Sequence, residues 1–175
     1  MSTDPVPQQS PLDDPLIVFV PPEDGRSFDA FGSTTQFKLE GAHTAGQLSL
    51  ALAVTPPGAG PPPHLHRKDD ELFIIVDGEI EFMTSTGWQR VGAGSVVYVP
   101  RGARHAFRNA GTTPSRHWVL TTPSGFDEFY ARAAALFAAG PPAPQQMRAL
   151  ALEYGYEIFA PPASADERDH PPAPR

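Results

Sequence analysis

Among the 175 residues there is no cysteine, which excludes disulfides, thiolate metal sites and cysteine nucleophiles and leaves histidine and carboxylate as the available metal donors. The apolar stretches are only several residues long, too short to cross a membrane, and the first residues carry neither the basic start nor the hydrophobic run of a secretion signal. A cytoplasmic location without membrane contact is therefore expected. Basic residues are also in deficit. The net charge of -7 disfavours nucleic acid as a partner, because binding it depends on Lys and Arg neutralising phosphates. Arg101, Arg104 and Arg108 cluster locally, a group better read as solvated loop and strand charges than as an anion guide. Helical periodicity is missing from the first two thirds of the chain.

What the chain has in plenty is proline, 22 residues, with 15 glycines. The prolines crowd into the two ends and a few short stretches, so they punctuate the apolar runs without interrupting them. The length suits one domain. The expected organisation is a disordered tail over residues 1–15, a β-barrel over 16–122, a helical extension over 123–160 and a second disordered tail over 161–175.

Short β-like runs fill the barrel region: Leu16 to Val20, Thr35 to Leu39, Gln47 to Val54, Glu71 to Val76, Glu79 to Thr84, Ser95 to Val99, His105 to Arg108 and Arg116 to Leu120. Their regular spacing points to an all-β barrel or sandwich. Asp77-Gly78 reads as a hairpin turn. The uninterrupted apolar run Leu72 to Val76 predicts a strand covered on both faces. Beyond Pro123 the pattern becomes helical. Ser124 is the expected cap of a helix that carries Phe126, Phe129, Tyr130, Ala133, Leu136 and Phe137 and ends at Gly140, and a second helix runs from about Pro144 to Tyr154. The aromatic stripe is read as packing, and apolar outer strands with an apolar helix predict a homodimer.

The chemistry lies in the histidines. His64 and His66 stand two apart in an extended segment, so both imidazoles project from one face. The polar turn Lys68-Asp69-Asp70 returns the chain, and Glu71 opens the next strand. His105 follows a strand and the turn Pro100-Arg101-Gly102.

These residues resemble the two motifs of the cupins. Gly58, His64, His66, Glu71 and Gly78 match the first at every spacing, and Gly94, Pro100, Gly102, His105 and Asn109 match the second. The likeness extends from about Gly41 to Thr122, and the Tyr154-Gly155-Tyr156-Glu157 ending is similar to that of small bacterial one-domain cupins. It implies a jelly-roll-like double-stranded β-helix holding one divalent metal on His64, His66, Glu71 and His105. Imidazole and carboxylate suit Fe, Mn, Ni, Cu or Zn alike. Asp70 competes with Glu71 as the carboxylate, with strand register as the arbiter.

Resemblance to quercetinase-like cupins implies a dioxygenase-like oxidoreductase acting on an aromatic or an enol/diketone small molecule, with Glu71 as ligand and as catalytic base. A non-redox isomerase, lyase or cyclase, or a cupin that binds a small ligand without turnover, are the alternatives. Phe73, Ile75, Met83, Phe107 and Trp118 are expected around the cavity, the motif glycines, Pro100 and Asn109 at turns, and His43 and His117 as exposed or hydrogen-bonded residues outside the site.

Overall fold

The computed structural model describes residues 17–160; both expected tails lie outside that range. Strands β1 (Arg26–Ala30), β2 (Ser33–Leu39), β3 (Ser49–Thr55), β4 (His64–His66), β5 (Asp70–Asp77), β6 (Glu79–Thr84), β7 (Gly87–Gly92), β8 (Val96–Val99), β9 (Ala106–Asn109) and β10 (Ser115–Thr122) precede helices α1 (Phe126–Ala138) and α2 (Pro144–Tyr154) and a last strand, β11 (Tyr156–Ile158). The fold is the expected all-β double-stranded β-helix with C-terminal helices. A six-stranded antiparallel sheet, ordered β1-β2-β3-β10-β5-β8, faces a three-stranded sheet β7-β6-β9 and the pair β11-β4. No helix among the described residues is long and apolar enough to cross a membrane.

Residues of alternating burial make the core. On β3 Ser49, Ala51, Ala53 and Thr55 turn inward, and on β10 Ser115, His117, Val119 and Thr121 do the same. Ala53, Phe73, Ile75 and Val119 of the large sheet meet Ile80 and Phe82 of the small one in the central cluster. A second cluster joins α1, α2 and β11 through Phe129, Ala133, Met147, Leu150, Ala151 and Tyr156. A third, Ala30, Phe37, Ala51 and Tyr130, fastens α1 to the first three strands.

Four expectations are corrected. Ile17 to Val20 forms no strand; the following Pro21-Pro22 offers no N–H to a ladder, and the sheet begins at Arg26. The buried Lys38 ammonium instead holds that segment, donating to the carbonyls of Pro21, Pro22 and Asp24. Asp77-Gly78 is not a hairpin, because β5 pairs with β10 and β8 whereas β6 pairs with β7 and β9. The chain there crosses from one sheet to the other. Gly78 permits it, with φ +81° and so little room that a Cβ would lie 2.9 Å from the Ser115 Cα.

The run Leu72 to Val76 is covered on one face only within this chain: Phe73 and Ile75 are buried, Ile74 is 40% and Val76 41% exposed, and the neighbouring Val96 and Tyr98 are more open still. Apolar character alone does not report a second layer. Finally, Ser124 does not cap α1. Gly125 occupies the cap position, and Asp127 from inside the first turn accepts from the Gly125 N–H, from Ser49 Oγ at 2.6 Å and from the Gly41 N–H. One buried carboxylate thereby ties the helix start to β3.

Candidate metal centre

The turn between β4 and β5, together with the turn before β9, brings the four motif side chains to one point. His64 and His105 face each other across a two-bond bridge, His64 N–H to His105 C=O at 2.8 Å and the reverse at 2.9 Å. On its other side β4 pairs with β11, Tyr156 lying opposite His66. One donor atom from each of His64, His66, Glu71 and His105 falls within 4.8 Å of the others. The imidazole centroids are 4.2 to 5.5 Å apart, and Glu71 Oε2 lies 3.0 Å from His105 Nε2 and 3.7 Å from His66 Nε2.

The outward ring nitrogens test whether this cluster suits a metal. His64 Nδ1 is 2.9 Å from the Pro62 carbonyl, His105 Nδ1 is 3.1 Å from the Ala103 carbonyl and His66 Nδ1 is 2.7 Å from Asp69 Oδ2. Carbonyl and carboxylate oxygens only accept, so each Nδ1 carries the proton. Each ring thereby leaves its Nε2 for a metal, which is the orientation that metal-ligating histidines need. The cluster could hold a divalent metal ion, and the donor set fits one.

Electrostatics run the same way. Burial opposes ionisation of Glu71, but the adjacent His66 and His105 imidazoles and His64 outweigh it and hold its pKa down to about 2. Burial, with the neighbouring His105 and His66, lowers His64 to about 3. Burial also works against protonated His66, yet Glu71 and the bond to Asp69 raise it. The pocket thus offers a permanent carboxylate and at least one imidazole that stays neutral.

Register resolves the carboxylate. Asp70 points away, gripped by the Arg101 side chain at 3.0 Å and by its backbone N–H, and this pairing holds its pKa down to about 2. Glu71, one residue on, faces inward and is 4% exposed. The other arginines are equally engaged, Arg104 over the Phe159 ring and Arg108 on Glu81 and over Trp88.

Beside the centre lies a cavity of about 60 Å³. Phe73 and Phe107 line it as expected, joined by Val119 and by Phe126, Phe129 and Tyr130 of α1 and Tyr156 of β11. The helical stripe read as packing therefore also closes the cavity. Met83 and Trp118 do not line it: Met83 borders an open groove elsewhere, and Trp118 sits on the opposite face of β10 from His117, paired with Leu52 and Ile74. Ile75 is buried in the central cluster below.

Three residues escaped sequence reading. Asp69 passed as a turn residue but is 4% exposed and orients His66, and Tyr156 donates to it at 3.3 Å. Removing that carboxylate, as in Asp69→Asn, is expected to weaken metal affinity ~10–100-fold with the four donors still present, measurable by titration with Zn(II). His43 is exposed and accepts from the Glu40 N–H, as expected. His117, expected to be exposed or bonded, is 0% exposed, lines the cavity, and neither ring nitrogen has a partner.

Burial lowers the His117 pKa to about 4, only partly offset by Glu71. An unfolded histidine titrates near 6.5, so below that pH the unfolded chain takes up a proton that the folded chain refuses. Stability contributed by neutral His117 is present above pH 6.5 and is lost as pH falls toward 4. Between pH 7 and pH 5 the loss is about 2 kcal/mol, and in denaturant titrations His117→Phe should lose about that much less than the unsubstituted protein.

Residues 51–120 match the family model described as Cupin domain. Germin-like protein 1-1 of Oryza sativa subsp. japonica is 34% identical over 117 residues, 64% of this chain and 53% of that protein. The chain spans about half the length of the germin-like proteins it matches. Among solved structures, KdgF from Halomonas sp. aligns with a TM-score of 0.57 at 18% identity, over 65% of this chain and 99% of that one. The polyketide cyclase RemF from Streptomyces resistomycificus aligns with a TM-score of 0.54 at 20% identity, over 62% and 81% of the respective chains. Structural likeness at such identities establishes the fold.

Proposed function

We propose, from the premise that this chain carries a cupin barrel, that it is a metal-dependent oxidoreductase of the dioxygenase kind acting on a small enol or β-diketone. The observation that carries the reading is the juxtaposition of four convergent donors with an apolar cavity rich in aromatic side chains. His64, His66 and His105 would hold a divalent transition metal through Nε2, with Glu71 as the fourth ligand. Such a metal would supply Lewis acidity, redox chemistry and coordination positions left open.

The chain's own residues do the rest. Glu71, ionised across the physiological range, is placed to accept the proton of a substrate hydroxyl as it becomes an enolate. Phe73, Phe107, Phe126 and Phe129 exclude water and offer flat apolar walls. Cavity size chooses between substrate classes. About 60 Å³ is far below the ~300–1,000 Å³ usual for drug-sized ligands, which favours a small enol or dione over a multi-ring aromatic.

The test is oxygen uptake by the metal-loaded protein supplied with small β-diketones, enols and catechols. Consumption of dioxygen with substrate supports the reading. Turnover at an undiminished rate without oxygen would make the chain a non-redox isomerase, lyase or cyclase, and binding without turnover a ligand-binding protein. Glu71→Gln that retained metal and full turnover would remove the base role.

A further inference from the structure

His117 lies on the inner face of β10, opposite Ile75 of β5, whereas Thr121 lies opposite Glu71. His117 is therefore four residues farther from the candidate metal centre than the level of Glu71, ~13 Å along the strand. Phe73 occupies the level between, and the His117 ring packs against Phe73 and Phe107 with centroids 5.9 and 5.1 Å away. Ser33 and Thr35 line the same cavity. Their hydroxyls are already engaged, Ser33 with Thr55 at 2.9 Å and Thr35 donating to Tyr130, which in turn donates to the Ala30 carbonyl.

Among the polar side chains lining this cavity, His117 has both ring nitrogens without a partner; among the described residues Thr121 Oγ1, at the level of Glu71 and outside the cavity lining, is also unpartnered. Buried polar groups without partners are rare because desolvation is not repaid, and a trapped water would itself need two to four polar partners. A cavity walled by aromatic rings beside an imidazole without partners suits a ligand that brings its own oxygen.

We propose that His117 is a specificity-determining residue that hydrogen-bonds a neutral oxygen, a hydroxyl or ketone, at the end of the substrate remote from its metal-binding oxygens. A neutral imidazole among phenyl rings can donate to or accept from such a group, while nothing beside it would neutralise a carboxylate. The cavity thereby has two poles, and the substrate is a small molecule carrying oxygen at both ends of an apolar body. This assignment rests on the enol or diketone reading for the identity of the near end only.

Zinc-loaded protein titrated calorimetrically with hexane-2,4-dione and with 6-hydroxyhexane-2,4-dione tests it. The hydroxylated dione should bind about 5–10-fold more tightly, the gain of one hydrogen bond. His117→Phe should abolish that preference, and His117→Gln, which restores a donor and an acceptor, should keep part of it. Equal affinities in the unsubstituted protein, or a preference that survives in His117→Phe, overturns the assignment. Should neither dione bind, the dione reading fails, and cyclopentanol added to metal-free protein labelled with ¹⁵N-histidine decides the rest. Movement of the His117 ring-nitrogen resonances with cyclopentanol and not with cyclopentane supports the far anchor; no movement overturns it.

Discussion

His105→Ala should leave a folded protein that no longer retains a divalent metal. His105 supplies Nε2 at 3.0 Å from Glu71 Oε2 and is one of only four convergent donors among the described residues. Its backbone bridge to His64 does not depend on the imidazole, so the frame survives while one corner of the site is opened. Loss of a supporting carboxylate costs ~10–100-fold in metal affinity, and loss of a direct donor should exceed that. Calorimetric titration with Zn(II) measures it, and turnover should fall in parallel. His64→Ala, His66→Ala and Glu71→Ala should behave alike, whereas Asp70→Asn, on the outward carboxylate, should bind metal normally. A normal Zn(II) affinity in His105→Ala would show that the imidazole is structural.

Phe37→Ala is the largest expected loss of stability. Phe37 is 1% exposed and its ring lies 6.0 Å from Phe28, 5.8 Å from Phe126 and 5.7 Å from Tyr130. It thus joins the β2 ladder to the helix that closes the cavity. Replacing a buried phenyl by methyl loses its transfer free energy and leaves a hole that the sheet cannot fill, about 3–5 kcal/mol in all. For a chain of this length the Tm should drop by on the order of 10 °C. Leu152→Ala, on the exposed side of α2, should change stability by less than about 0.5 kcal/mol. Equal effects of the two substitutions would mean that α1 is not docked through Phe37.

The donors were legible in the sequence because each is set by local spacing. His64 and His66 are neighbours on one strand face, Glu71 follows the polar turn Lys68-Asp69-Asp70, and His105 follows the turn Pro100-Arg101-Gly102. The residues that were misread depend on which strands become neighbours. Nothing local shows that β10 inserts between β3 and β5, so nothing local shows that His117 ends inside a cavity or that Trp118 ends outside it. Asp69 looks like any turn aspartate until Tyr156, 87 residues later, arrives to bury it. Asp77-Gly78 has hairpin chemistry, but the strands it joins belong to different sheets. The helices were readable from their period, and Pro144 and Gly155 marked the ends of α2; their role as a wall of the cavity was not, since packing and lining leave the same aromatic stripe.

The decisive measurement is the metal content of the unsubstituted 175-residue chain after incubation with Mn, Fe, Ni, Cu or Zn ions and removal of the excess. The expected result is one equivalent of a divalent ion, held by nitrogen and oxygen donors at ~2.0–2.2 Å in X-ray absorption for zinc. A chain that retains none of these ions, with its histidine ring resonances unmoved by any of them, would contradict it.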